Sequence, residues 1–450
     1  MKKTNYMFSF PLRDLKTRIT EPGVLMYNAF SNSLAAIEQS KFDAYMDFCE
    51  HGTPITDETL VEQLKLGGFL VEDDFNEMNA LKLRMLSSRF QNSHFGLTIA
   101  PTSDCNFRCV YCYEKDRLRP SYMSKQVMDG VVKLLESQVD SIRSFSVTWY
   151  GGEPLLAFDV IEKLSKKFMR ICKKNKIQYS AGIITNGSLL TREKVEKLNQ
   201  YNVNFYQITL DGTRENHNRS RPTKEGGETY DVILNNLEQC IDILPTVSLR
   251  VNVDKNSIHA AGEIRDTLKQ RGLDHKVHPY LGKITNDNND PEMALSCFTT
   301  REFALSELNY FMQYEDENTS WADRYPMIKG NFCGADSACG FVVDSDGCLY
   351  KCWNDIGDKK KAVGNILEEK MYGFSIYNDY LLHDPTTDPI CSKCRILPVC
   401  MGGCPYHRLA GRQDERCSQY KFALENYLRF AASRIIKNRE DEAKPADEAC

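Results

Sequence analysis

Apolar residues follow different rhythms in two stretches of this chain. Up to about residue 90, GVLMYNAF and SLAAIEQ read as short strands joined by a turn at Ser31-Asn32-Ser33. KFDAYMDFCEHG places Phe42, Tyr45, Met46 and Cys49 on one helical face. Thr56-Asp57 offers N-cap chemistry for DETLVEQLKLGG, which the Gly67-Gly68 pair ends. FLVEDD returns as a strand, and NEMNALKLRMLSSRF is a charged connecting helix. From about residue 95 the pattern alternates: strands LTIA, FSVTWY, AGIIT, FYQITL and VSLRVNV are separated by amphipathic helices such as KQVMDGVVKLLESQV, VIEKLSKKFMRICKK, REKVEKLNQY and VILNNLEQCIDIL, and GEIRDTLKQRG closes the series. Strands alternating with helices make parallel βα units, and about six of them make an open, partial barrel of the α/β class. Functional residues of such a barrel belong on the loops after the strand C-termini.

At 450 residues the chain has room for two or three cores. A formal charge of −5 gives no general basic field, which argues against bulk nucleic-acid binding. No apolar run reaches the ~18 residues of a bilayer span. The start, MKKTNYMFSFPLRDLKTR, lacks an apolar core and a small-residue cleavage site, so no signal peptide and a cytoplasmic location are expected. The 17 cysteines change the picture, because in a reducing compartment clustered thiols point to metal. Three lie at 105–112, four from Cys333 to Cys352 and five from Cys391 to Cys417. The scattered Cys49, Cys172, Cys240, Cys297 and Cys450 are given no role, since free cysteine often serves as a small buried hydrophobe.

Cys105, Cys109 and Cys112 stand in PTSDCNFRCVYCYEK with C-x3-C-x2-C spacing, too tight for disulfides. A four-iron cubane normally takes four thiolates, so three leave one iron open. Zinc and buried apolar thiols are the bland alternatives. With Tyr113 directly after Cys112, the motif resembles the radical S-adenosylmethionine (SAM) superfamily. The resemblance implies a partial (β/α)6 TIM-barrel core over 91–290 and an open iron that chelates the methionine end of SAM. Gly151-Gly152-Glu153-Pro154, after FSVTWY, matches the family's GGEP motif. A glycine pair lets backbone carbonyls approach SAM's ammonium, and Glu153 stabilises either this turn or the ammonium. Thr185-Asn186-Gly187 and Thr209-Leu210-Asp211-Gly212 resemble the family's polar strand ends around the ribose and the methionine carboxylate. Asn252 resembles its later strand-end contact, and Arg221 offers a bidentate fork to the carboxylate. Each of these could instead be a turn residue or a solvated charge.

Near the C-terminus, Cys333 is followed by Gly347 and Cys352, then by Cys391, Cys394, Cys400 and Cys404 in C-x2-C-x5-C-x3-C, then by Cys417. This matches the seven-cysteine signature of SPASM domains, found in peptide-modifying radical SAM enzymes. By that resemblance, auxiliary 4Fe-4S cluster I takes Cys333, Cys339, Cys352 and Cys404, and cluster II takes Cys391, Cys394, Cys400 and Cys417. That makes three clusters with the SAM-binding one. Cys339 is the ligand most easily lost, and Cys348 is left without a role. Paired zinc sites are the structural alternative.

The implied chemistry is one-electron cleavage of SAM to a 5′-deoxyadenosyl radical, which abstracts a hydrogen; no side-chain nucleophile is needed. Residues 1–90, with strands and helices of winged-helix type, resemble a recognition domain that binds a leader peptide as an added strand. Residues 291–330 read as a linker, 331–425 as the SPASM domain and 426–450 as a C-terminal helix and tail. The resulting expectation is a maturase of a ribosomally made precursor peptide, forming Cys sulfur-to-carbon thioethers of the sactipeptide or ranthipeptide type. Flavodoxin or ferredoxin would supply electrons, and neither nucleic acid nor membrane is a partner. Carbon–carbon cross-linking, anaerobic formylglycine formation on sulfatases, and a non-catalytic zinc-stapled peptide binder stay open. Sulfatase maturases carry an acidic residue directly after the Gly-x4-Cys cysteine, where this chain has Trp353, with Asp355 nearby.

Overall fold

The computed structural model describes residues 1–13, 22–314, 324–368 and 373–442; Cys450 and the rest of the expected tail from 443 lie outside them. The described residues form two compact units, one within 1–88, 300–332 and 384–442, the other within 89–299 and 333–383. The packing thus divides the cysteine-rich region, placing Cys333, Cys339 and Cys352 in the second unit and the cysteines from Cys391 to Cys417 in the first.

In the first unit, β1 (Lys2–Lys3) pairs with β5 (Leu70–Val71), and β2 (Met7–Pro11), β3 (Gly23–Asn28) and β4 (Ser33–Glu38) form an antiparallel sheet in the order β2-β3-β4. Every residue of β3 is buried, because alternate side chains enter two cores. Val24 and Met26 pack with Tyr45, Leu60, Leu64 and Phe69 from the two helices that follow. Leu25 and Tyr27 pack with Tyr6, Leu81, Leu397, Val399 and Leu428. Asp57 caps the helix Glu58–Leu66 by accepting from Leu60 N at 3.0 Å, as its sequence implies. The stretch expected as a linker contains the helix Thr300–Tyr314, whose Ala304 and Leu308 pack on Tyr427 and Phe430.

The second unit is built on a sheet of six parallel strands: β6 (His94–Ile99), β7 (Ser144–Trp149), β8 (Gln178–Thr185), β9 (Val203–Thr209), β10 (Val247–Val253) and β11 (Val277–Lys283). Intervening helices, such as Phe158–Asn175 with buried Ile161, Leu164 and Phe168, cover it. This is the α/β partial barrel that the periodicity implies. Two parts of it carry no periodic signal. The sixth strand, VHPYLGK, contains Pro279 and Gly282 and lies at a sheet edge, where proline is tolerated. At the other edge, β12 (Gly340–Val343) pairs in parallel with β6, and β13 (Cys348–Tyr350) and β14 (Gly364–Asn365) follow antiparallel. The cysteine-bearing segment therefore extends the barrel sheet. No helix among the described residues is long and apolar enough to cross a membrane.

Candidate active site

The loop after β6 carries Cys105, Cys109 and Cys112 as free, half-buried thiols. Bridges Thr102–Tyr122 and Phe107–Thr223 pin it, with Arg108 N to Pro222 O at 2.9 Å and Val110 N to Ser220 O at 3.0 Å. Desolvation, with Glu153 nearby, pushes the Cys105 thiol up to about 12, and burial also raises Cys109 and Cys112. The Arg221 guanidinium opposes that rise at Cys109. Among the described residues no three Cys, His, Asp or Glu side chains converge as a single-ion site requires. A cubane, by contrast, takes each thiolate at a separate corner iron.

Gly151 and Gly152 hold this loop against β7. An added Cβ on Gly151, whose φ is +100°, would lie 2.5 Å from Ala100 Cβ, and one on Gly152 would overlap the Asp104 carbonyl oxygen. That carbonyl accepts Glu153 N at 2.8 Å. Glu153 is fully buried, and both its oxygens are committed, to Thr185 Oγ1 (2.7 Å), Leu155 N (3.0 Å) and Asn186 N (2.8 Å). Of its two expected roles the structure displays the turn-stabilising one. Burial raises its pKa while these donors lower it. Pro154 opens the short turn Pro154–Ala157 that Glu153 caps. Asn186 bonds Asn106 Oδ1 at 2.9 Å, tying β8 to the cysteine loop.

Sequence reasoning missed the hub of the site. Tyr111, between two of the cysteines, donates its hydroxyl to Asp211 and accepts from Arg221 Nη1 (2.8 Å) and Asn252 Nδ2 (2.9 Å). Asp211 also accepts Asn252 N at 3.0 Å. Thr209, Asp211, Arg221 and Asn252 are all buried here, around the ends of β9 and β10. The signal was present in the Tyr inside the triplet and the Asp of Leu210-Asp211-Gly212. Arg221 Nε is buried without a partner among the described residues, the kind of orphan an anionic ligand satisfies. Three thiols on one loop, a glycine cradle beneath them and this orphaned donor fit a cubane and the carboxylate of SAM.

His217 supports the hub from behind. Its Nδ1 accepts Asp211 N at 3.0 Å, so Nε2 carries the proton toward Thr229 Oγ1 (3.1 Å). Desolvation, with Arg221 nearby, holds its pKa down to about 2. The unfolded chain binds this proton near pH ~6.5 and the folded one does not, so acidification below ~6.5 should cost about 1.4 kcal/mol per pH unit. Urea unfolding at two pH values checks this: His217→Gln should show a shallower loss of stability than wild type.

Tyr113 meets Tyr150 hydroxyl to hydroxyl, and Tyr150 stacks on Trp353 with centroids 5.6 Å apart. Trp353 is 47% exposed. Asp355 is buried and accepts Tyr380 OH at 2.6 Å. Beside Trp353, Cys352 follows Lys351, a buried lysine that donates to the Ser337 and Gly340 carbonyls and lies over the Phe341 ring at 4.5 Å. Desolvation holds it down to about 7, against Asp336, Cys339 and Cys333 nearby. Cys348 is a core thiol packed with Ala100, Val342 and Tyr350. In the first unit, Cys391, Cys394 and Cys400 pack on one core, Arg416 Nη2 lies 3.6 Å from Cys391 Sγ and Lys421 Nζ 3.4 Å from Cys417 Sγ. Cys404 N donates to Arg416 O at 2.8 Å.

Residues 99–268 match the model of the radical SAM superfamily. The chain is 24% identical over 369 residues to the cysteine-type anaerobic sulfatase-maturating enzyme of Clostridium perfringens, spanning 76% of this chain and 97% of that enzyme. It is 28% identical over 344 residues to the Fe-coproporphyrin III synthase of Methanosarcina barkeri, spanning 67% and 80%. Two solved structures share the fold. Native anSMEcpe with bound AdoMet and Kp18Cys peptide has a TM-score of 0.60 at 20% identity, covering 77% of this chain and 99% of that one. Streptococcus suis SuiB bound to precursor peptide SuiA has 0.50 at 15% identity, covering 92% and 98%. Residues 99–268 therefore form a radical SAM domain, and the protein is an enzyme.

Proposed function

We propose that this enzyme installs thioether cross-links, from a cysteine sulfur to a carbon, in a ribosomally synthesised precursor peptide. The observation that carries the choice lies after Cys352. The position that holds the acid in sulfatase maturases is the exposed Trp353, and the nearby Asp355 is buried against Tyr380. The β4 edge of the first unit, with half-exposed residues, supports docking of a leader peptide as an added strand. Peptides occupy both similar solved structures. The names of the curated relatives favour a second reading, formylglycine formation on a Cys- or Ser-containing peptide.

In this reading Cys105, Cys109 and Cys112 hold the SAM-binding cubane. Arg221, Thr209 and Asn252 orient SAM, with Tyr113, Gly151, Gly152, Glu153, Pro154, Thr185 and Asn186 forming its frame. When bound, cluster and SAM supply a hydrogen-abstracting radical. The chain's own residues position the peptide carbon, exclude water and keep competing donors away. Cys333, Cys339, Cys352 and Cys404 would hold auxiliary cluster I, and Cys391, Cys394, Cys400 and Cys417 cluster II, with electrons exchanged through a flavodoxin or ferredoxin. About twelve irons per anaerobically purified chain fit three cubanes, whereas two or three zincs would overturn the assignment.

The test is incubation with SAM, a strong reductant and the product of a small cysteine-rich reading frame beside the gene. Loss of two hydrogens per bond, with the cysteine thiol consumed, is expected. Cys391→Ala should keep SAM cleavage within about an order of magnitude while abolishing the cross-link. Conversion of cysteine to formylglycine instead would transfer the protein to the second reading.

A further inference from the structure

One cation inside the barrel is left without a counter-charge. Arg250 is in register with Thr209 of β9 on one side and Tyr280 of β11 on the other. It lies two residues below Asn252, on the same face of β10. Its side chain crosses β11 at Gly282, where an added Cβ would lie 2.6–2.8 Å from Nε, Cζ and Nη2. The missing side chain of Gly282 thus makes the room that the guanidinium occupies. Nε donates to Asn252 Oδ1 at 2.7 Å, the one hydrogen bond that the Arg250 side chain makes among the described residues. Asn252 is itself held by Tyr111 and Asp211. The fork is therefore anchored at Nε, and its four amino N–H groups remain for something else.

Two other guanidinium groups of this unit have partners. Arg221 lies against Tyr111 and Asp211, and Arg117 donates to the Asn354 and Ile356 carbonyls and pairs with Asp358. Among the described residues, half-buried Arg250 has no carboxylate of its own, although enclosed charges are normally paired. A fixed guanidinium with a free amino edge matches the geometry of a carboxylate. Its charge also favours the ionised form of Tyr150, whose ring stacks on Trp353.

We propose that Arg250 is an anion subsite inside the barrel that grips the side-chain carboxylate of an Asp or Glu in the substrate peptide, setting which residue lies before the radical source. The proposal rests on the peptide-substrate reading above. SAM also carries a carboxylate, but the orphaned Nε of Arg221 beside Cys109 already provides for it. Arg250 therefore serves the substrate.

Reconstituted, SAM-loaded enzyme can be panned against displayed random dodecapeptides, with wild type, Arg250→Gln and Arg250→Glu in parallel. The first unit is identical in all three, so differences between the selections report on residue 250 alone. Wild type should enrich Asp and Glu over Asn and Gln by about tenfold at one position, the worth of one charge-assisted pair. Arg250→Gln should lose that bias, and Arg250→Glu should favour Lys and Arg. SAM affinity, by equilibrium dialysis, should stay within about twofold in both variants, since no cofactor pair is removed. Selection of peptides with no acidic bias, or a bias unchanged in both variants, overturns the subsite and leaves the peptide reading standing. A tenfold weaker SAM affinity with unaltered peptide preference would assign the anion to the cofactor and equally overturn it. If wild type selects no peptide, the substrate reading fails and this inference with it.

Discussion

Gly152→Ala should reduce SAM cleavage by at least about a hundredfold, although the change adds one methyl group. The new Cβ would overlap the Asp104 carbonyl oxygen and lie 2.7 Å from its carbon and 3.3 Å from Cys105 Cβ. Backbone bounds the space, so no side chain can rotate away. Asp104 cannot retreat freely either, because its carbonyl holds Glu153 N. Relief must come from moving the cysteine loop or the start of the turn that Glu153 caps. Overpacking typically costs about 1–3 kcal/mol even where side chains give way, and misplacing a reacting group by ~1 Å costs about a hundredfold in rate. The variant should therefore keep its far-UV spectrum, lose iron from the SAM-binding site and form little 5′-deoxyadenosine. Gly272→Ala is the control: nothing lies within 4 Å of its added Cβ, so it lacks the overlap while its φ of +68° adds a conformational cost that Gly152 does not carry. Full activity in Gly152→Ala would show that the glycine cradle does not position the cysteine loop.

Much of the barrel was legible because its signal is local. Five strands and their helices announce themselves by periodicity, and the cysteine triplet and GGEP by spacing. Pairing between distant segments leaves no such trace. β12 joins β6 although more than two hundred residues separate them, and the strand around Pro279 and Gly282 looks like a loop until its neighbour β10 is known. The same limit applied at the site. Glu153 was legible as a site residue, but its three partners come from two different strand ends. Tyr111 carries no motif of its own, and becomes a hub only where β9 and β10 bring Asp211 and Asn252 beside it. The glycine pair carries a packing role that its motif does not announce. Besides the backbone approach to a ligand that a glycine pair suggests, Gly152 allows close approach to another stretch of the same chain.

On the proposed cross-linking reading, Gly403→Ala should produce the converse phenotype, with SAM cleavage retained and cross-linking lost. Met401, Gly402 and Gly403 all have positive φ, at 50°, 92° and 77°, so the chain turns sharply between Cys400 and Cys404. A Cβ on Gly403 would overlap the Arg416 carbonyl oxygen and lie 2.8 Å from its carbon and 3.5 Å from Cys417 Cα. That carbonyl accepts Cys404 N, and the Arg416 side chain reaches Asp388 and Cys391 Sγ. One overlap thus pushes on the segments bearing Cys391, Cys400, Cys404 and Cys417 together. A left-handed backbone position adds about 1 kcal/mol for any residue other than glycine, and the steric overlap adds more. Loss of one cubane removes about four irons per chain, which iron counting can detect. The SAM-binding triplet lies in the other unit, so 5′-deoxyadenosine formation without peptide should persist within about threefold. If Gly403→Ala abolished cleavage while its unfolding transition stayed cooperative, the C-terminal cysteines would be required for SAM cleavage itself, and the proposed division of roles between the two cysteine groups would fail.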